Sequence, residues 1–131
     1  MDDLKKYTLL IVDDEATLRE AIVFDFKRKG FTVLSTDNGT KAFEIVTTNK
    51  IHLVLSDIRM PDGDGITLLE KIKAYNPTTP VVIFVTGFTD ITDADCIVKG
   101  ALKVILKPFD RKVLMNCVLD ALGLPIAPKA I

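Results

Sequence analysis

Apolar residues gather along this chain in five short runs, and between the runs they recur three and four positions apart. Thr8-Leu9-Leu10-Ile11-Val12, Ile51 to Ser56 and Val81 to Val85 are almost wholly apolar and read as buried strands, and Ala101 to Leu106 reads as a further strand. Phe31 to Thr36 partly alternates apolar with polar residues, which predicts an edge strand with one wetter face. The segments between carry helical spacing. Leu18, Ala21, Ile22 and Phe26 lie within Glu15 to Lys29, with Gly30 as the stop, and Ala42, Phe43, Ile45 and Val46 lie between Thr40 and Thr48. Ile66, Leu68, Leu69 and Ile72 follow Asp64 or Gly65 in a helix running to Tyr75. A weaker stripe spans Thr89 or Asp90 to Lys99, and a last helix capped by Asp110 carries Val113, Leu114, Cys117, Val118 and Ala121.

Strand alternating with helix five times predicts the α/β class: a doubly wound (βα)5 parallel sheet of the flavodoxin-like kind. Putting the half-polar second strand at one edge gives the order 2-1-3-4-5. Strands 1, 3, 4 and 5 are then neighbours, ending in Asp13-Asp14, Asp57, Thr86 and Lys107. Ligands of such sheets bind outside the carboxyl ends of the strands, so residues far apart in sequence meet at one rim.

With 131 residues, 48% of them hydrophobic, the chain suits one compact soluble domain, expected over residues 1–122, with 123–131 a tail or linker stub. A net charge of -1 supplies no basic surface for nucleic acid or an anionic membrane. Cys96 and Cys117 lack metal-ligand spacing and read as reduced thiols. The charged start Met1 to Lys6 leads into an apolar run too short for a leader or a span, which points to the cytoplasm.

The rim holds three carboxylates, and such groups repel one another unless a cation sits among them. An all-oxygen cluster suits a small hard divalent ion, Mg²⁺ for preference. Lys107 adds a fixed positive charge and Thr86 a hydroxyl donor, and together with the metal these complement a phosphoryl group. Asp57 closes an apolar run and precedes a Pro- and Gly-containing loop, Met60-Pro61-Asp62-Gly63-Asp64-Gly65. It is the candidate nucleophile, forming an aspartyl phosphate without a general base.

Val12-Asp13-Asp14-Glu15, Asp57-Ile58-Arg59-Met60-Pro61 with Gly65, Val85-Thr86-Gly87 and Lys107-Pro108-Phe109 stand in an order and at spacings that resemble the receiver domain of two-component response regulators, over roughly Tyr7 to Leu122. The resemblance implies that Asp57 accepts phosphoryl from a sensor histidine kinase or histidine phosphotransfer protein. It also implies that Asp14, Asp57 and the Arg59 backbone carbonyl hold Mg²⁺ directly and Asp13 mainly through water. Thr86 and Lys107 would engage phosphoryl oxygens, and Lys107-Pro108 would be a cis peptide. Output would run through the face of the fourth helix, fifth strand and fifth helix, to a downstream protein or attached domain or through a phosphorylation-dependent homodimer. Lys103 and Val104 are candidates on that face. The family usually carries Tyr or Phe where this chain has Val104, so coupling here would rest on loop and helix shifts.

Other readings exist for each residue alone. Asp13 or Asp14 can cap a helix, Asp57 can belong to a turn, Thr86 can be a strand-end hydroxyl, and Lys107 can snorkel. Arg59 and Phe88 can tune the site or simply be solvated and packed. His52, far from the rim, reads as a structural histidine, and Asp62 and Asp64 read as a turn residue and a helix cap. A phosphohydrolase with an Asp nucleophile would carry a second acid where Arg59 stands, and a nucleotide carrier would not place Asp-Asp-Glu after its first strand. The remaining alternative is a non-phosphorylated receiver-like interaction module.

Overall fold

The computed structural model describes residues 3–87 and 92–126. After a short 3-10 turn at Leu4–Lys6, the chain runs β1 (Thr8–Val12), α1 (Ala16–Lys29), β2 (Thr32–Thr36), α2 (Gly39–Thr48) and β3 (Leu53–Ser56). It continues through α3 (Gly65–Tyr75), β4 (Val81–Thr86), α4 (Asp93–Val98), β5 (Lys103–Leu106) and α5 (Arg111–Ala121). All pairings are parallel, and the sheet order is β2-β1-β3-β4-β5, as the apolar pattern predicts.

The strands' period of two divides the core between the faces of the sheet. Leu10, Val12, Val54, Val82 and Phe84 face one way, onto Ala42 and Val46 of α2 and Leu68, Leu69 and Ile72 of α3. Leu9, Ile11, Leu53, Leu55, Ile83 and Val85 face the other, onto Ile22 and Phe26 of α1 and Leu114, Val118 and Leu119 of α5. Burying each such side chain contributes about 1.5–3 kcal/mol. At the edge, β2 buries Val33 and exposes Thr32 and Ser35, in keeping with its mixed pattern.

Caps set several boundaries. Asn38, Asp64 and Asp110 accept the amides of Lys41, Thr67 and both Lys112 and Val113, and Gly30 closes α1 at φ 124. After α5, Gly123 and Leu124 donate their amides to Asp120 and Leu119, and Leu124 packs onto the core.

The differences from the sequence reading are local. The spans Ile51 to His52 and Ala101 to Leu102 precede β3 and β5 rather than belong to them, although Ile51 and Ala101 are buried. Ala21 and Val113 are exposed, because the buried lines of their helices run through Ile22 and Phe26 and through Leu114 and Val118, about 100° away on the helix. The short α4 buries only Cys96, and the Thr92 hydroxyl accepts the Asp95 amide at its start. The expected earlier start at Thr89 or Asp90 lies outside the described residues, as does Phe88.

Candidate functional site

Parallel pairing carries the carboxyl ends of β1, β3, β4 and β5 to one rim. The main chain ties them together there. The Asp57 amide donates to the Val12 carbonyl at 2.9 Å, the Lys107 amide to the Thr86 carbonyl at 2.8 Å, and the Asp13 amide to the Thr36 carbonyl at 3.2 Å. Each strand therefore delivers its last polar residue at a fixed register.

Carboxylate oxygens of Asp13, Asp14 and Asp57 lie within 4.8 Å of one another. Asp13 is 3% exposed, whereas Asp14 stands out to solvent. The Lys107 ammonium joins two of the three, donating to Asp57 Oδ2 at 2.8 Å and to Asp13 Oδ2 at 3.0 Å. Their other oxygens are oriented by backbone amides: Asp13 Oδ1 accepts from Glu15 at 2.9 Å, and Asp57 Oδ1 from Ile58 at 2.6 Å. The donor set is all oxygen, with one solvent-facing carboxylate, so it fits a small, hard, partly hydrated divalent cation.

Burial pushes the Asp13 carboxyl above its ordinary pKa, against the opposing effect of the Glu15 amide and Lys107. Burial pulls the Lys107 ammonium down, but hydrogen bonds to Asp57 and Asp13 and their charges outweigh it and hold the pKa above the usual lysine value. Among the described residues no buried side-chain nitrogen or oxygen lacks a partner.

Glycines clear the space that the rim needs. A Cβ on Gly65 would sit 2.3 Å from the Asp57 carbonyl oxygen and 3.0 Å from Ile58 Cα, so only glycine lets α3 begin here. The Gly65 amide donates to the Ile58 carbonyl at 2.7 Å, closing the base of the β3–α3 loop. Lys107-Pro108 is cis, as the resemblance implies, and Thr79-Pro80 is a second cis peptide that the sequence reading did not anticipate.

The structure thus gathers Asp13, Asp14, Asp57 and Lys107 directly, with Thr86 buried at the end of β4 and Arg59 opening the loop after Asp57. His52 lies at the opposite end of the sheet, where its Nδ1 accepts the Thr8 amide at 3.0 Å and its ring meets Tyr7 edge-on. Two supports escaped the sequence reading. Arg19 Nη1 donates to the Asp13 carbonyl at 2.7 Å, and the Ser56 hydroxyl donates to the Asp57 carbonyl at 2.7 Å. Arg19 sits one helical turn after Glu15, which is the only signal it offered.

Comparison with known proteins agrees with this geometry. The family described as the response regulator receiver domain matches residues 9–119. The transcriptional regulatory protein ZraR of Klebsiella oxytoca is 35% identical over 88% of this chain and 26% of its own length. Curated relatives of this kind are much longer, and the chain spans about a quarter of them. The CheY-like receiver domain protein of Methanospirillum hungatei JF-1 superposes with a TM-score of 0.84 at 25% identity, covering 89% of this chain and 94% of that one. A structure of the CheX–CheY–BeF3–Mg²⁺ complex from Borrelia burgdorferi gives 0.80 at 30% identity, covering 87% of both chains. By sequence pattern, fold and the acidic rim alike, the chain belongs to the response regulator receiver domains, the phosphorylation-dependent switches of two-component signalling.

Proposed function

We propose that Asp57 is the phosphoacceptor of this switch. The carrying observation is the Lys107 ammonium bridging Asp57 and Asp13 at 2.8 and 3.0 Å inside a three-carboxylate cluster. Asp13, Asp14, Asp57 and the Arg59 backbone carbonyl would hold Mg²⁺, and the ion would supply positive charge against phosphoryl oxygens. The Borrelia complex, which contains Mg²⁺ and a beryllofluoride group, supports that assignment by analogy. Asp57 then attacks the phosphorus of a phosphohistidine or small acyl phosphate with its carboxylate oxygen. The bond to the donor breaks, and Lys107 pairs with the transferred group.

The Thr86 hydroxyl moves to a phosphoryl oxygen once Asp57 is modified. One hydrogen bond to a charged group is worth about 1.5–3 kcal/mol, enough to shift a two-state equilibrium about ten- to a hundred-fold. With Val104 partly buried in β5 rather than an aromatic ring, the shift passes to α4 and the loops. Ile97, Val98, Leu106 and Val113 remain exposed on α4, β5 and α5, which supports this face as the docking surface for an output domain, a downstream protein or a second copy of the chain. Lys103 is exposed on the same strand.

The donor is a sensor histidine kinase or histidine phosphotransfer protein, and the setting is cytoplasmic. Among the described residues no helix is long and apolar enough to cross a membrane. The chain catalyses its own phosphorylation and dephosphorylation rather than turnover of a separate substrate. Residues 1–122 form the receiver, and 123–131 a tail or linker. Beryllofluoride binding, followed by ¹⁹F NMR with Mg²⁺ present, tests the assignment. The wild type gives bound resonances that Asp57→Asn lacks; bound resonances of equal intensity in both would show that Asp57 is not the acceptor.

A further inference from the structure

The β3–α3 loop leaves Asp57, passes through Arg59 and, before α3 begins, lays its tip at Asp62 and Gly63 on the first turn of α2. The first amides of a helix have no acceptor within it. In α2 those of Gly39 and Thr40 are taken by the loop: Gly39 donates to the carbonyls of Asp62 at 3.1 Å and Gly63 at 3.0 Å, and Thr40 to Asp62 at 3.4 Å. The Asn38 side chain accepts the Lys41 amide, and Asn38 is itself 7% exposed.

Two glycines make this clasp possible. A Cβ on Gly39 would lie 2.3 Å from the Gly63 oxygen, so backbone meets backbone directly. Gly63 has φ +83, and a Cβ there would crowd both the amide and the hydroxyl of Thr40 at 3.0 Å. The loop is thus fixed at its base by Gly65 on Ile58 and at its tip by Gly39 on Asp62 and Gly63, with Arg59 between the two. On either side of Arg59 the loop buries Ile58 and Met60.

We propose that Gly39 and Gly63 are positioning residues of the metal site, and that the clasp between α2 and the loop fixes the direction of the Arg59 carbonyl. This rests on the reading of the rim as a Mg²⁺ site. Because coupling between two equilibria is reciprocal, metal bound at the rim also tightens the clasp. The N-terminus of α2 then reports on occupancy of a site whose carboxylates it does not carry.

Mn²⁺ affinity, read from free Mn²⁺ by electron paramagnetic resonance, tests the proposal in Gly39→Ala against a control, Val46→Ala. Val46 is buried about two helical turns beyond Gly39, so its truncation loosens the same helix without touching the clasp. Supports of metal ligands contribute about ten- to a hundred-fold in affinity, so Gly39→Ala weakens binding at least about tenfold. Val46→Ala changes it less than about twofold. In wild type, Mg²⁺ slows hydrogen exchange at the Gly39 and Thr40 amides, a reading that stands even if Gly39→Ala does not fold. Equal affinities in Gly39→Ala and wild type, an equal loss in Val46→Ala, or unaltered exchange at both amides overturns the proposal. Absence of Mn²⁺ binding by the wild type would instead overturn the metal reading, and this inference with it.

Discussion

Replacing Lys107 with Met removes the cation from a group of three carboxylates and leaves nearly the same volume. In the wild type the ammonium donates to Asp57 and Asp13, whose side chains are 12% and 4% exposed. Hydrogen bonds to charged groups contribute about 1.5–3 kcal/mol each, and removing one partner of a buried pair costs about 3–5 kcal/mol. Water reaches the rim on the Asp14 side, so the expected loss is at the low end, about 3 kcal/mol. For a domain of this size that corresponds to a fall in Tm of about 10 °C. Mg²⁺ supplies the missing charge. At a hundred times its Kd it returns about 2.7 kcal/mol, and without a competing ammonium it binds the variant more tightly than the wild type. Thermal unfolding with and without Mg²⁺ measures both effects. A variant as stable as the wild type without metal, or one that gains no more from Mg²⁺ than the wild type does, would refute this account of the rim.

Further outcomes follow from other contacts. Gly65→Ala drives a methyl into the Asp57 carbonyl and destabilises by about 1–3 kcal/mol, whereas at Gly87 the nearest atoms, on Lys107, stand 3.7 Å away and alanine stays within about 0.5 kcal/mol; urea unfolding compares them. Asp110→Ala removes the acceptor of two amides at the start of α5 and costs about 1 kcal/mol in the same assay. Burial, and secondarily the charge of Lys50, lower the His52 pKa from 6.5, and the ring Nδ1 accepts the Thr8 amide. A base depressed in the folded state contributes stability above its unfolded pKa and loses it as pH falls from about 6.5 toward the folded value. Unfolding midpoints should therefore drop across that window in wild type and flatten in His52→Gln; equal slopes would exclude His52 as the source.

The sheet order was legible because β2 partly alternates polar with apolar residues along its length, and the rim was legible because four strands stop abruptly on polar side chains. What stayed hidden depends on through-space contacts with no local pattern. The bond from Arg19 to the Asp13 carbonyl and the clasp of Gly39 on Gly63 join residues whose types suit any helix face or turn. Asn38-Gly39 reads as a plain turn until the loop from β3 is laid against it. Ala21 and Val113 show the converse, apolar residues near the buried line of a helix that the helical twist rotates into solvent.

In the proposed mechanism Asp57 accepts a phosphoryl group with help from a metal at the rim. Intact mass after incubation with Mg²⁺ and a small acyl phosphate tests it most directly, with Asp57→Asn alongside. One added phosphoryl group is expected in the wild type, released by hydroxylamine, dependent on the metal and absent from the variant. An unmodified wild type across donor concentration and time, or an equal gain in Asp57→Asn, would contradict it and favour a receiver-like module that binds partners without phosphorylation.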